Sequence, residues 1–176
     1  MARAVPPMSA RNRIAVAVLT MSLAGLGAWK ANEGFTDHAI IPTVGDVATI
    51  GHGSTRYEDG SPVKLGDRIT PQRADVLARN LISQDEKKFA ASLPGVRLHQ
   101  AEFDLYMDFV GQYGLGNWRQ SSIRSNLLAG RYAQACESLL KWRYAAGYDC
   151  STPGNKRCLG VWTRQVERNA QCRAAQ

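Results

Sequence analysis

Glu33 is the first side chain in this sequence with an evident chemistry to offer. It stands just past an uncharged apolar stretch and shortly before the compact run Thr49-Ile50-Gly51-His52-Gly53-Ser54-Thr55. A carboxyl group can serve as a general acid, and a second carboxylate can serve as base or stabilise a cation. Glu33 lies beside Phe35 where a helix meets a Gly-rich, strand-forming segment, so partial burial is expected to raise its pKa. Its bland alternative is a solvated residue at a helix end. The acids between Glu33 and Thr49 are Asp37 and Asp46. Asp46 follows Gly45 in a turn and is either a second working carboxylate or a turn stabiliser. Thr49 carries a hydroxyl that both donates and accepts, which suits holding a water; otherwise it is an ordinary strand residue. His52 reads as a turn residue or substrate contact rather than a metal ligand, since neither His38 nor His99 is near it in sequence. The set points to acid–base chemistry, without metal or cofactor, on a substrate near a membrane.

These residues need elements to hold them. The spacing predicts a short helix from Ala28 to about His38, carrying Glu33. Residues 39–57 read as short strands, with β character at Ile40-Ile41 and Val47-Ala48-Thr49-Ile50, punctuated by Pro42, Gly45, Gly51 and Gly53. Thr70-Pro71 opens a helix by the capping rules, with Ala74, Leu77, Ala78, Leu81 and Ile82 on one side, and Pro94-Gly95 stops it. Beyond it the period is 3.6. Phe103, Tyr106, Met107 and Val110 form a stripe ending at Gly114-Leu115-Gly116. Ser121 or Ser122 caps a helix that stops at Gly130, and two more are marked by Tyr132 to Trp142 and Val161 to Ala170. The fold class is α+β: a small β-containing N-terminal lobe and a larger helical C-terminal lobe with a cleft between.

The 176 residues carry a formal net charge of +7, which favours a polyanionic partner such as bacterial cell wall. The basic residues are scattered and no nucleic-acid motif accompanies them, so nucleic acid is not expected. Arg3, Arg11 and Arg13 precede an uncharged span from Ile14 to Trp29. That span is longer than a signal-peptide core needs and shorter than the roughly 20 residues of a membrane helix. Rich in Ala, Gly, Thr and Ser, it should hold a membrane weakly; cleavage after it stays open. Residues 1–29 are therefore read as an N-terminal signal or signal-anchor helix that exports the domain at 30–176. Cys136, Cys150, Cys158 and Cys172 fit two disulfides in an oxidising compartment. Cys150 with Cys158 and Cys136 with Cys172 is the favoured pairing of three. A zinc site competes poorly, because no CxxC spacing occurs.

Glu33-Gly34-Phe35-Thr36 through Gly51 resembles the active-site segment of phage-type lysozymes, glycoside hydrolase family 24, which shows Glu-Gly, an Asp, then Thr-Ile-Gly-x-Gly-His-Thr. Further along, Phe109-Val110-Gly111-Gln112-Tyr113-Gly114-Leu115-Gly116-Asn117-Trp118 is similar to the family's Phe-x-x-Asn-x-Gly-x-Gly-x-Phe, with Gln112 for Asn. Ser121-Ser122-Ile123 resembles Ser-Thr-Leu, Trp142 to Gly147 resembles Trp-x-x-Ala-x-Gly, and Gly160 to Arg168 resembles Gly-Leu-x-x-Arg-Arg-x-x-Glu. The chain departs from the family between Glu33 and Thr49, which are one residue further apart, and where the family's Asp falls there is Pro42, followed by Thr43. The resemblance implies a lysozyme-like fold. It also implies an endolysin that hydrolyses the β-1,4 bond between N-acetylmuramic acid and N-acetylglucosamine in peptidoglycan. Glu33 would be the acid, Asp46 its partner carboxylate and Thr49 the water-positioning group, with His52 and Gln112 meeting substrate. The weakly apolar N-terminus is similar to that of signal-arrest-release endolysins, exported while tethered to the host inner membrane and then released as monomers into the periplasm. A lytic transglycosylase and a non-catalytic wall-binding protein are the alternatives.

Overall fold

Thr70 does open a helix, its Oγ1 accepting from the Arg73 N–H at 3.2 Å. That helix, α2, spans Pro71–Ala91 and ends just before Pro94-Gly95, as those residues require. The computed structural model describes residues 12–43 and 45–176. It divides into two compact units, one formed by Ser22–Lys88 and the other by the chain up to Met21 together with Phe89–Gln176.

The Ser22–Lys88 unit begins with α1, Leu23–Glu33, whose first turn is capped by the Ser22 Oγ accepting from Gly25 N at 3.0 Å. This helix ends five residues before the predicted His38. Gly34 takes φ +71° as its C-cap and sends its N–H to the Lys30 carbonyl at 3.0 Å, a conformation that stops a helix and favours glycine. The chain then extends as β2, Thr36–Ile40, antiparallel to β3, Thr49–Gly51, with Thr36 opposite Gly51 and Ile40 opposite Thr49. Alternation buries Ala39 and Ile50, which pack with Val63, Ile69, Ala74 and Leu77 as the core of this unit.

The other unit is built on α3, Gln100–Gln120, kinked at Gly114 where φ is +78°. It continues through α4 (Ser122–Leu128), α5 (Tyr132–Leu139) and α6 (Leu159–Ala174). Its core is aromatic: Phe89, Phe103, Tyr106, Phe109 and Trp118 are fully buried. The Phe89 and Trp118 ring centroids lie 4.8 Å apart, and the Trp118 indole N–H donates to the Ser92 hydroxyl at 2.8 Å. Both disulfides take the favoured pairing, Cys136–Cys172 and Cys150–Cys158, with Cα atoms 5.5 and 5.1 Å apart. A hairpin absent from the sequence reading, β5 (Tyr144–Ala145) with β6 (Tyr148–Asp149), precedes the second bridge.

The expected N-terminal signal helix is not one continuous helix among the described residues. Residues 14–29 are not one helix: Ile14–Ala15 form β1, paired with β4 at Arg97–Leu98, a 3-10 turn follows at Val16–Val18, and α1 begins only at Leu23. Val16 and Leu19 are buried in the fold. Arg13, expected as part of a cytoplasmic positive flank, is itself buried and grips Glu102; Arg3 and Arg11 lie outside the described residues. Pairing with β4 and burial of Val16 and Leu19 satisfy this short, Ala- and Gly-rich segment better than a continuous helix would. Among the described residues no helix is long and apolar enough to cross a membrane.

Candidate active site

Antiparallel pairing of β2 with β3 explains how two sequence-distant segments meet. Since Thr36 faces Gly51, the residues just before Thr36 run alongside those just after Gly51. That places Glu33, the last residue of α1, against the turn Gly51-His52-Gly53. The turn is closed by reciprocal bonds between Ile50 and Ser54, each N–H donating to the other's carbonyl at 3.0 Å. Both its glycines are required. A Cβ on Gly51 would lie 2.9 Å from the Ala74 Cβ, and one on Gly53 would lie 3.1 Å from Glu33 Oε2. Both residues also have positive φ, +65° and +79°. The carboxylate of Glu33 thus lies directly over bare backbone, as a close approach by a side chain requires.

The Glu33 side chain is exposed, not partly buried as expected. Its helix, α1, has no buried residue, so no neighbouring turn of that helix shelters it. Phe35 is also largely exposed, and its ring packs at 5.6 Å from that of His52.

His52 is buried to 9% exposure and both ring nitrogens meet protein atoms. Nδ1 lies 2.6 Å from the Gly34 carbonyl and Nε2 3.1 Å from Asp75 Oδ1. Asp75, on α2, also receives the Lys30 ammonium from α1 at 2.5 Å. Lys30 chiefly, with His52 adding to it, holds the Asp75 carboxyl below its ordinary pKa. Lys30 and Asp75 escaped the sequence reading as site residues. Nothing local marks them, since their meeting depends on how α2 crosses α1.

Asp46 is exposed, and its carboxylate is engaged within its own turn: Oδ1 accepts from Val47 N at 3.1 Å, while its own N–H donates to the Thr43 carbonyl at 2.9 Å. Thr49 is half-buried at the start of β3. Gln112 belongs to the other unit, where its Oε1 accepts from buried Arg168 at 2.7 Å; Arg168 also donates through Nε to Asp108 at 2.8 Å. Glu33, Thr49 and His52 therefore share one unit's helix–turn–strand junction. Among the described residues no cluster of His, Cys, Asp and Glu could hold a metal ion.

Known proteins share this arrangement of elements. The chain is similar in fold to an endolysin from Escherichia coli O157:H7 phage FAHEc1, with TM-score 0.72 and 23% identity over 88% of this chain and 94% of that one. It is similar to a P22 lysozyme mutant at TM-score 0.70, with 24% identity over 88% and 98% of the two chains. In sequence it is 30% identical over 131 residues to an endolysin of Bacillus phage B103, covering 73% of this chain; it spans about half, 48%, of that relative. The sequence model of phage lysozymes matches residues 30–166, the span that contains Glu33, the glycine turn and the aromatic helix α3. With most of its length matched and a lysozyme-like α+β architecture, the chain belongs to the phage lysozyme family.

Proposed function

We propose that this protein is a muramidase, hydrolysing the β-1,4 bond between N-acetylmuramic acid and N-acetylglucosamine in bacterial peptidoglycan during host cell lysis. The observation that carries the reading is the seating of the Glu33 carboxylate over Gly53, inside the segment matched by the family. In this reading Glu33 protonates the bridging oxygen of the departing sugar. Thr49, one strand away, orients the attacking water through its hydroxyl. Asp46 is the candidate second carboxylate. His52, with both ring nitrogens engaged by the protein, and Gln112, with its Oε1 engaged by Arg168, would meet substrate through those atoms only by giving up their partners. The protein acts as a monomer on the wall, with no metal, cofactor or nucleic acid. Digestion of purified murein followed by mass spectrometry of the fragments tests the reading: reducing muropeptide ends support it, and Glu33→Gln should abolish their release.

One observation favours a second reading. Asp46 spends its carboxylate on Val47 N in its own turn, and a lytic transglycosylase needs only one acid. Anhydro-ended fragments would identify that chemistry. Full binding to murein with no product of either kind would identify a wall-binding protein.

The N-terminal segment is proposed to exist in two states, tethered to the inner membrane after export and then released to the periplasm. Ile14 cannot pair with Leu98 and lie in a bilayer at once. A tethered chain would therefore lack β1 and the Arg13–Glu102 pair, and release would let them form. Equal murein hydrolysis by membrane-held and released protein would refute this switch.

A further inference from the structure

α1 is a poor helix to carry a proton donor. Of its eleven residues, Leu23–Glu33, two are interior glycines and none is buried. Each interior glycine costs about 0.5–1 kcal/mol relative to alanine, and tertiary packing normally supplies what propensity does not. The end bearing Glu33 must be held from outside. The described contacts there converge on one side chain of α2. Lys30, one turn before Glu33, pairs with Asp75, and His52 joins Asp75 to the carbonyl of Gly34, the residue directly after Glu33.

We propose that His52 is a positioning residue: it ties the Gly34 carbonyl to Asp75 and so fixes the last turn of α1 and the direction in which Glu33 leaves it. The inference rests on the muramidase reading of Glu33. The chemistry follows from the acceptors. Backbone carbonyl and carboxylate both only accept, and the Gly34 contact at 2.6 Å is shorter than the Asp75 contact at 3.1 Å, so in the neutral ring Nδ1 carries the proton and donates to Gly34 O. Nε2 donates to Asp75 Oδ1 when the ring carries its second proton. The phage lysozyme pattern Thr-Ile-Gly-x-Gly-His-Thr puts its histidine two places later, where this chain has Ser54. The histidine here thus stands at the variable place, tucked beneath the turn by the positive φ of Gly51 and Gly53. With 9% exposure and both nitrogens engaged, it acts through the backbone beside Glu33 and not on the sugar.

Two measurements on the full chain test this. The first needs no activity: two-bond 1H–15N spectra of histidine-labelled protein, with His52 assigned by its loss in His52→Leu, report which nitrogen bears the proton in the neutral ring. Nδ1–H is expected, and Nε2–H overturns the proposal. The second is a kinetic series on murein. His52→Leu should lower kcat by roughly 10- to 100-fold, the scale of a small misplacement of a catalytic group, while KM changes less than about twofold. His52→Asn puts an amide where Nδ1 sits and should recover most of the loss. His52→Gln puts its amide where Nε2 sits and should not. A raised KM with kcat intact, or equal behaviour of the Asn and Gln variants, overturns the role. Absence of any wild-type turnover would instead defeat the muramidase reading, and the tautomer measurement tells these failures apart.

Discussion

Arg13 and Glu102, 89 residues apart in the chain, form a two-pronged ion pair, Nε to Oε2 at 3.0 Å and Nη2 to Oε1 at 3.1 Å. The Glu102 side chain is fully buried and Arg13 nearly so. Glu102 also accepts from the His99 N–H at 2.8 Å and from the Gln176 amide at 2.9 Å, while the Arg13 guanidinium lies 3.9 Å from the centre of the Tyr132 ring. One carboxylate therefore gathers the start of the described chain, the first turn of α3 and the final residue.

Removing one partner of such a pair leaves a buried charge. Arg13→Ala should cost about 3–5 kcal/mol, read by urea unfolding. Glu102→Gln in the Arg13→Ala background should recover part of it. A loss under about 1 kcal/mol would show that residues 13–19 are not integral to the fold.

Gly53→Ala should impair activity beyond its cost in stability. The left-handed φ alone costs roughly 1–2 kcal/mol for a residue with a Cβ, and the methyl would sit 3.1 Å from Glu33 Oε2. Gly60→Ala separates the two effects, because Gly60 has φ +85° and a Cβ there would meet nothing within 4 Å. Comparable melting losses with murein hydrolysis lost only in Gly53→Ala are expected; equal activity in both would count against the seat at Gly53.

The disulfides should contribute unequally. Cys136–Cys172 closes 36 residues and Cys150–Cys158 closes 8, so loop-closure entropy predicts about 4 and about 2–3 kcal/mol. Paired Cys→Ser variants, melted separately, should show the larger drop for Cys136/Cys172, whose bridge joins α5 to α6.

Glu58 links the turn after Thr55 to α2. It accepts from both Arg73 terminal nitrogens at 2.7 Å and from Asn80 at 3.0 Å. Arg73 foremost, then Asn80, lowers its pKa from 4.5 to about 2. A depressed carboxylate pKa gives stability that is complete above 4.5 and drains as pH falls towards 2. Arg73 is nearly half-exposed, so solvent screening holds the contribution to about 1 kcal/mol or less. Glu58→Gln should lower the melting temperature slightly at pH 7 and lose that difference near pH 2; a deficit that persisted undiminished would contradict the ion-pair origin.

Much of the helical framework could be read from local signals, because caps and breakers act over a few residues. Thr70-Pro71 started α2, Ser121 capped α4 through its Oγ, and Gly114 broke α3 where the apolar stripe ended. The disulfide pairing followed from a turn-rich loop between Cys150 and Cys158. What was missed depends on distant partners or unusual backbone. The β1–β4 pairing joins Ile14 to Leu98, which no local pattern announces. The hairpin at Tyr144–Asp149 turns through Ala146 at φ +48° and Gly147 at +82°, and alanine gives no warning of a left-handed position. At the candidate site, Glu33 and the glycine turn were legible from residue type. Its exposure, the burial of His52 and the contribution of Asp75 were not, because they follow from how α1, the turn and α2 meet.

Glu33 is the residue on which the enzymatic account depends, and Glu33→Gln tests it with almost no change in shape. Soluble muropeptides released from purified murein, quantified by liquid chromatography with mass spectrometry, should fall by at least about 100-fold, with unfolding and murein binding unchanged. Release at the wild-type rate by Glu33→Gln would contradict the assignment.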